Sequence, residues 1–175
     1  MLLLLYLYEY FNSFFMKTFE ITAKITVYDN NDLNNEEKKL VEAAKNATNR
    51  AYAPYSEFNV GCAVLLENGE IISGNNQENA AYPSGLCAER VTVMYANALY
   101  PDVPIKAMSI AVQRDGVFSE QPITPCGACR QVLLETENRF RKPIKMYFFG
   151  ESGIYVLNGI KDILPLSFGE EELGR

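Results

Sequence analysis

The stretch Phe58-Asn59-Val60-Gly61-Cys62-Ala63-Val64-Leu65-Leu66, followed by Asn68-Gly69 and then Glu70-Ile71-Ile72-Ser73, decides the fold. Its first part is apolar and strand-like, Asn-Gly is the dipeptide a tight hairpin prefers, and the last part returns as a second strand. Upstream, Leu40, Ala44, Ala47 and Ala51 recur at helical spacing, with Asn34 or Asn35 placed to cap the helix and Pro54 to end it. Further upstream, Phe19, Ile21, Ala23, Ile25 and Val27 alternate with mostly polar neighbours and read as a short strand or arm. Downstream, a Gly/Asn-rich loop leads to Pro83-Ser84-Gly85. Cys87 to Leu99 then reads as a helix with Val91, Met94, Tyr95 and Ala98 on one side. Ala107 to Val112 reads as a third strand, and Pro125 opens a second long helix, where a first-turn residue needs no N–H partner. Ile144 to Phe149 and Ile154 to Leu157 are two further strands, and Lys161 to Leu164 a short helix. This order predicts one α/β domain, a mixed β-sheet of about five strands covered by helices. The domain is expected over 32–169, with an N-terminal extension at 1–31 and a solvated acidic tail at 170–175.

The 175-residue length suits one domain with a sizeable core. A net charge of −6, from 16 basic and 22 acidic residues, argues against a nucleic-acid groove, which needs a basic face. There are 4 cysteines and no histidine. The missing histidine removes Ser-His-Asp and Cys-His catalysis together, so any metal site must be built from thiolates and carboxylates. Four cysteines in a chain of this length suit metal or catalytic thiolates in a reducing compartment. Met1 to Phe15 is rich in Leu, Tyr and Phe, yet it lacks a basic leader and a small-residue cleavage site. Glu9 and Asn12 interrupt it, and it is too short for a membrane span. It is read as an upstream start or a disordered extension outside the native product, and the protein is expected to be cytoplasmic with no membrane partner.

Cys87, Cys126 and Cys129 carry the chemistry. Cys126 and Cys129 form a C-x-x-C within Pro125-Cys126-Gly127-Ala128-Cys129-Arg130, and each motif falls at a predicted helix start. Backbone N–H groups at helix N-termini lack partners and favour thiolates. Two such termini, converging, would hold three thiolates around one Zn²⁺ and leave the fourth position open, as a catalytic zinc requires. Three thiolates on a divalent ion leave a net negative site, so Arg90 and Arg130 are candidates to hydrogen-bond the sulfurs. A structural four-cysteine site would need Cys62 as the last ligand. That residue sits alone in an apolar strand and reads as a small core residue. A redox C-x-x-C would leave Cys87 and Glu89 without a role. Glu89, two residues after Cys87, would lie beside the metal without ligating it. From there it can take a proton from water and return protons to a ring nitrogen and a leaving amine.

Cys-Ala-Glu-Arg followed by Pro-Cys-Gly-Ala-Cys-Arg-Gln resembles the signature of the homotetrameric zinc-dependent cytidine deaminases, within the wider zinc deaminase class. Ala51-Tyr52-Ala53-Pro54-Tyr55-Ser56, Phe58-Asn59-Val60-Gly61, Asn76-Gln77-Glu78-Asn79-Ala80-Ala81-Tyr82 and Leu164-Pro165-Leu166-Ser167-Phe168 resemble further family segments, so the likeness runs from Asn34 to Phe168. It implies a three-layer fold and one Zn²⁺ per subunit on Cys87, Cys126 and Cys129, with Glu89 as proton shuttle. The implied reaction is hydrolysis of cytidine and 2′-deoxycytidine to uridine and 2′-deoxyuridine with release of ammonia, a pyrimidine-salvage step. It further implies that Asn76 and Glu78 bind the sugar hydroxyls, that Phe58 stacks on the pyrimidine and that the Ala88 backbone reads the base edge. Phe168 would reach into a neighbouring subunit of a tetramer. Relatives of this class that act on nucleotides or tRNA use histidine as the first ligand, which this chain lacks. A deaminase acting on a cytosine-containing antibiotic, a purely structural zinc module and an inactive deaminase-like subunit are the rival readings. The Asn76/Glu78 pair speaks against the first, and intact Glu89 against the last.

Overall fold

A computed structural model describes residues 17–174 of the chain. The expectation for Met1 to Phe15 lies outside the described residues. The elements are β1 (Thr26–Tyr28), α1 (Asn35–Ala47), β2 (Asn59–Leu66), β3 (Ile71–Asn75), α2 (Ala88–Leu99), β4 (Ile105–Arg114), β5 (Val117–Phe118), α3 (Gly127–Phe140), β6 (Lys145–Gly150) and β7 (Gly153–Leu157), with short 3₁₀ turns between some of them. They build one mixed sheet in the order β1-β7-β6-β4-β2-β3, with β5 also paired to β4. The β4–β6 pair is parallel, and the other pairs are antiparallel. Among the described residues, no helix is long and apolar enough to cross a membrane.

The alternation of side chains along β2 sets the layers. Cys62, Val64 and Leu66 join a core with Val93 and Ala96 of α2 and Leu133 and Leu134 of α3. Ala63 and Leu65 join a second core with Leu40, Val41 and Ala44 of α1. A strand buried on both faces loses polar alternation, which is why β2 reads as a continuous apolar run. The result is the expected three-layer α/β domain, with α1 on one face of the sheet and α2 and α3 on the other. Asn34 caps α1 with a capping box: its side chain accepts from the backbone of Glu36 and Glu37, and the Glu37 carboxylate accepts from the Asn34 backbone N–H.

The sheet has seven strands where about five are expected. Of the predicted arm, Thr26–Tyr28 joins the edge of the sheet against β7, while 17–25 take no regular structure. The other addition is β5, which follows a tight turn at Asp115-Gly116 with positive φ at both residues, 52° and 78°. Asp-Gly is a favoured pair for that turn, so the signal is present in the sequence; the strand after it is only two residues long. The face of α2 also differs. Ala88, Glu89, Thr92, Val93 and Ala96 are buried, whereas Met94 and Tyr95 are 50% and 53% exposed. Close packing explains the choice: a Cβ at Gly74 of β3 would lie 2.7 Å from Thr92 Oγ1, so the small face of α2 turns inward.

Gly61 marks the same constraint on the other side of the sheet. A Cβ there would meet Ala44 O at 2.0 Å and Thr48 N at 2.7 Å, both backbone atoms that can move only with α1. We expect Gly61→Ala to destabilise the fold by about 2–3 kcal/mol. The readout is a lower urea midpoint at unchanged slope. An unchanged midpoint would show that α1 yields freely.

Candidate active site

Two helices bring the cysteines together. Cys87 is the N-cap residue of α2 and Cys126 that of α3, while Cys129 lies in the first turn of α3, fully buried. Neither cap uses its side chain to satisfy the helix N-terminus, so both sulfurs are left for other partners. Cys87 Sγ lies 3.9 Å from Cys126 Sγ, and Cys126 Sγ 3.5 Å from Cys129 Sγ. All three fall within 4.8 Å of one another and could hold a metal ion. Tetrahedral zinc with Zn–S of about 2.3 Å sets S···S edges of about 3.8 Å, and the triangle fits that size. The electrostatics fit a cation as well. A hydrogen bond from the Cys129 thiol holds the Cys87 thiol down to about 5 against burial, with Arg90 assisting, while Cys129 keeps its proton well above the usual thiol range. One sulfur carries the charge and suppresses ionisation of its neighbour, a conflict that a divalent ion among the three would remove.

Cys62 stands apart from this cluster. It is fully buried in β2, and burial, followed by the nearby Glu89 charge, pushes its thiol far up. Cys62→Ser is expected to keep full metal binding, at some cost in stability. Metal analysis of the purified variant checks this, and loss of the metal would make Cys62 a ligand.

Glu89 occupies the first turn of α2 and is 5% exposed. Burial raises its carboxyl above the ordinary range, and the Cys87 charge adds to the shift. Ala88 beside it is fully buried, with its carbonyl accepting from Thr92 Oγ1 at 2.7 Å. Cys87, Cys126 and Glu89 line a cavity of about 610 Å³, which also takes in Phe58, Asn76 and Glu78. Phe58, just before β2, gives this cavity a half-buried aromatic wall. Asn76 follows β3, and its amide clamps that wall: it accepts from Val60 N at 2.8 Å and donates to Phe58 O at 2.9 Å. Glu78 is held in turn by Tyr55 N at 2.9 Å, by Ser56 N and by the Ser56 hydroxyl, and these bonds keep its carboxyl below the usual range.

The candidate cationic partners divide. Arg90 lines the cavity, donates to Gly85 O at 3.3 Å and lowers the Cys87 thiol, while its buried Nε has no hydrogen-bond partner. Arg130 turns elsewhere. It donates to Pro125 O at 2.8 Å, Ile163 O at 2.7 Å and Thr124 Oγ1 at 3.2 Å. Phe168 is 59% exposed and is absent from the cavity lining; Gln131 Nε2 donates to its carbonyl at 2.8 Å. Sequence reasoning missed Ser56, which positions Glu78, and Arg114, which lines the cavity and donates to Ser56 O at 3.3 Å. Ser56 stands in the recognised Tyr-Ala-Pro-Tyr-Ser segment, but its partner is 22 residues away, and Arg114 stands in no motif.

Paired helix N-termini carrying three cysteines that could hold a metal ion, with a buried carboxyl group beside them at a cavity, sit on a three-layer α/β domain. The family model for the cytidine and deoxycytidylate deaminase zinc-binding region matches residues 34–142. A cytidine deaminase of Sporosarcina psychrophila is 36% identical over 78% of this chain and 93% of its own. One of Halalkalibacterium halodurans is 35% identical over 79% of this chain and 98% of its own. The crystal structure of a cytidine deaminase from Burkholderia pseudomallei superposes with a TM-score of 0.64 at 36% identity, covering 74% of this chain and 97% of that one. The chain belongs to the cytidine deaminase family, whose cofactor is zinc.

Proposed function

We propose that this protein hydrolyses cytidine and 2′-deoxycytidine to uridine and 2′-deoxyuridine, releasing ammonia, as a step of pyrimidine salvage. The observation that carries the reading is the buried Glu89 lining one cavity with Cys87 and Cys126, whose sulfurs cluster with that of the fully buried Cys129 behind them. The three cysteines hold one Zn²⁺ per subunit, which when bound acts as a Lewis acid and lowers the pKa of water. Arg90 offsets the thiolate charge. Glu89 takes the proton released as water adds at C4 of the ring. It then delivers protons to the ring nitrogen and to the departing amine, so water and cytidine balance with uridine and ammonia. The Ala88 backbone and Glu89 read the base edge.

Phe58 stacks on the pyrimidine, held upright by the Asn76 amide. That duty uses one Asn76 donor and one acceptor site, and the amide's remaining N–H is left for a sugar hydroxyl. Glu78, already fixed by Tyr55 and Ser56, accepts from the sugar with its remaining lone pairs. The assembly in this reading is a homotetramer, with Phe168 reaching a neighbouring site. Exposed Met94, Tyr95 and Phe168 support it, because apolar side chains of this size in solvent suit an interface. A cytoplasmic location follows from thiolates that need reducing conditions.

The test is product analysis with cytidine, 2′-deoxycytidine and free cytosine. Each nucleoside should give one ammonia per uridine or 2′-deoxyuridine formed, and cytosine should react far more slowly because the sugar contacts are missing. Equal rates on all three would remove the sugar role of Glu78 and Asn76. No product from any would remove the reaction.

A further inference from the structure

The C-terminal segment is tied to the metal-bearing helix at two points by consecutive residues. Arg130 reaches Ile163 O at 2.7 Å, and Gln131 reaches Phe168 O at 2.8 Å. The same Arg130 guanidinium holds Pro125 O and Thr124 Oγ1, and Thr124 lines the cavity two residues before Cys126. A single planar fork thus joins three pieces: the cavity wall that leads into the metal site, the first turn of α3, and the segment that ends at Phe168. Its rigid geometry is what permits several simultaneous backbone contacts; a lysine has one donor centre and cannot span them. The side chain is half-buried, so these bonds are screened little by solvent.

We propose that Arg130 is a positioning residue: with Gln131 it forms a latch through which α3 sets the place of both the Thr124 wall and the Ile163–Phe168 segment, and so of Phe168. The proposal rests on the functional reading above, in which Phe168 serves a neighbouring site. It departs from that expected from sequence, where Arg130 would neutralise thiolates. The two roles give opposite results for a conservative change. A thiolate-neutralising charge is preserved in Arg130→Lys, whereas the latch is lost.

The experiment uses the full chain with zinc bound, as wild type, Arg130→Lys, Arg130→Gln and Gln131→Ala, each also as a Phe168→Ala double variant. Zinc per chain, the melting transition, cytidine turnover and amide exchange over the last fifteen or so residues are measured. The latch predicts full zinc in all variants. Arg130→Lys should fall as far as Arg130→Gln, about tenfold or more in kcat/KM with a raised KM, and exchange should be faster between Ile163 and Phe168. It also predicts that Phe168→Ala costs wild type substantially but adds little to Arg130→Gln, since Phe168 is already displaced. Lysine restoring wild-type kinetics would overturn the latch in favour of charge neutralisation. Strict additivity of the double variant, or unchanged exchange, would overturn it as well. Gln131→Ala, on the exposed side of the helix, keeps the test readable if Arg130 variants fail to fold: faster exchange at Phe168 with lowered kcat/KM supports the latch, and unchanged values overturn it. Inactive wild type with intact zinc would sink the functional reading instead, and exchange would still decide whether the latch exists.

Discussion

Glu89→Gln should leave a folded, zinc-loaded protein whose turnover of cytidine has fallen by about a thousandfold or more. The amide matches the carboxylate in size, so the small inward face of α2 that packs Ala88, Thr92 and Val93 is undisturbed. What is lost is the ability to accept and return a proton, and general acid–base groups contribute roughly 10² to 10⁴ in rate. In the proposed reaction the one group serves several transfers, so the loss belongs at the upper end of that range. Burial already raises the affinity of this carboxyl for a proton, which suits a shuttle and would be wasteful in a residue that merely caps a helix. Cytidine binding, measured by equilibrium dialysis, should persist, because Phe58 and Glu78 are unaffected. Near-normal turnover would mean that Glu89 only caps the helix, and loss of zinc would mean that it ligates.

Removal of the metal should have the second large effect, on activity and on stability together. Chelation should abolish turnover and lower the melting temperature by several degrees. A ligand present at about a thousand times its Kd stabilises the fold by roughly 4 kcal/mol. The cause lies in the sulfur triangle, where a charged Cys87 forces Cys129, fully buried, to hold its proton. Zn²⁺ should restore both properties, and Mg²⁺ neither, because thiolate donors select against hard oxygen-seeking ions. Cys129→Ser should reproduce the chelated state without recovery. Full activity after chelation would place the chemistry elsewhere in the cavity.

Much of this site is legible in the chain because the cysteines that could hold a metal ion sit at helix starts. A helix start is a local feature, and Cys87-Ala88-Glu89 and Pro125-Cys126-x-x-Cys129 announce it without reference to distant residues. The β2–β3 hairpin is legible for the same reason: Asn68-Gly69 fixes the turn and the apolar runs fix the strands. What escapes the sequence is side-chain direction. Arg90 and Arg130 occupy equivalent places one residue after Glu89 and Cys129, yet only Arg90 lowers the neighbouring thiol, while Arg130 reaches Ile163, 33 residues away. The inward face of α2 was equally hidden. Periodicity marks an apolar stripe at Met94 and Tyr95, but close approach to β3 at Gly74 selects the smaller residues, and the larger apolar pair is left in solvent. Strand β1 is set by pairing with β7, a long-range property that a three-residue segment cannot advertise, whereas β5 is a local hairpin after Asp115-Gly116 whose two residues are too short to show a strand pattern.

The central claim, that a three-cysteine zinc site with Glu89 deaminates cytosine nucleosides, is tested most directly by one measurement: ultraviolet absorbance of cytidine incubated with purified protein whose zinc has been counted per chain. One zinc per chain and steady loss of the cytidine absorbance are expected, at a rate that falls in step with zinc content when the metal is partly removed. Stable absorbance in the presence of one tightly held zinc per chain would contradict it.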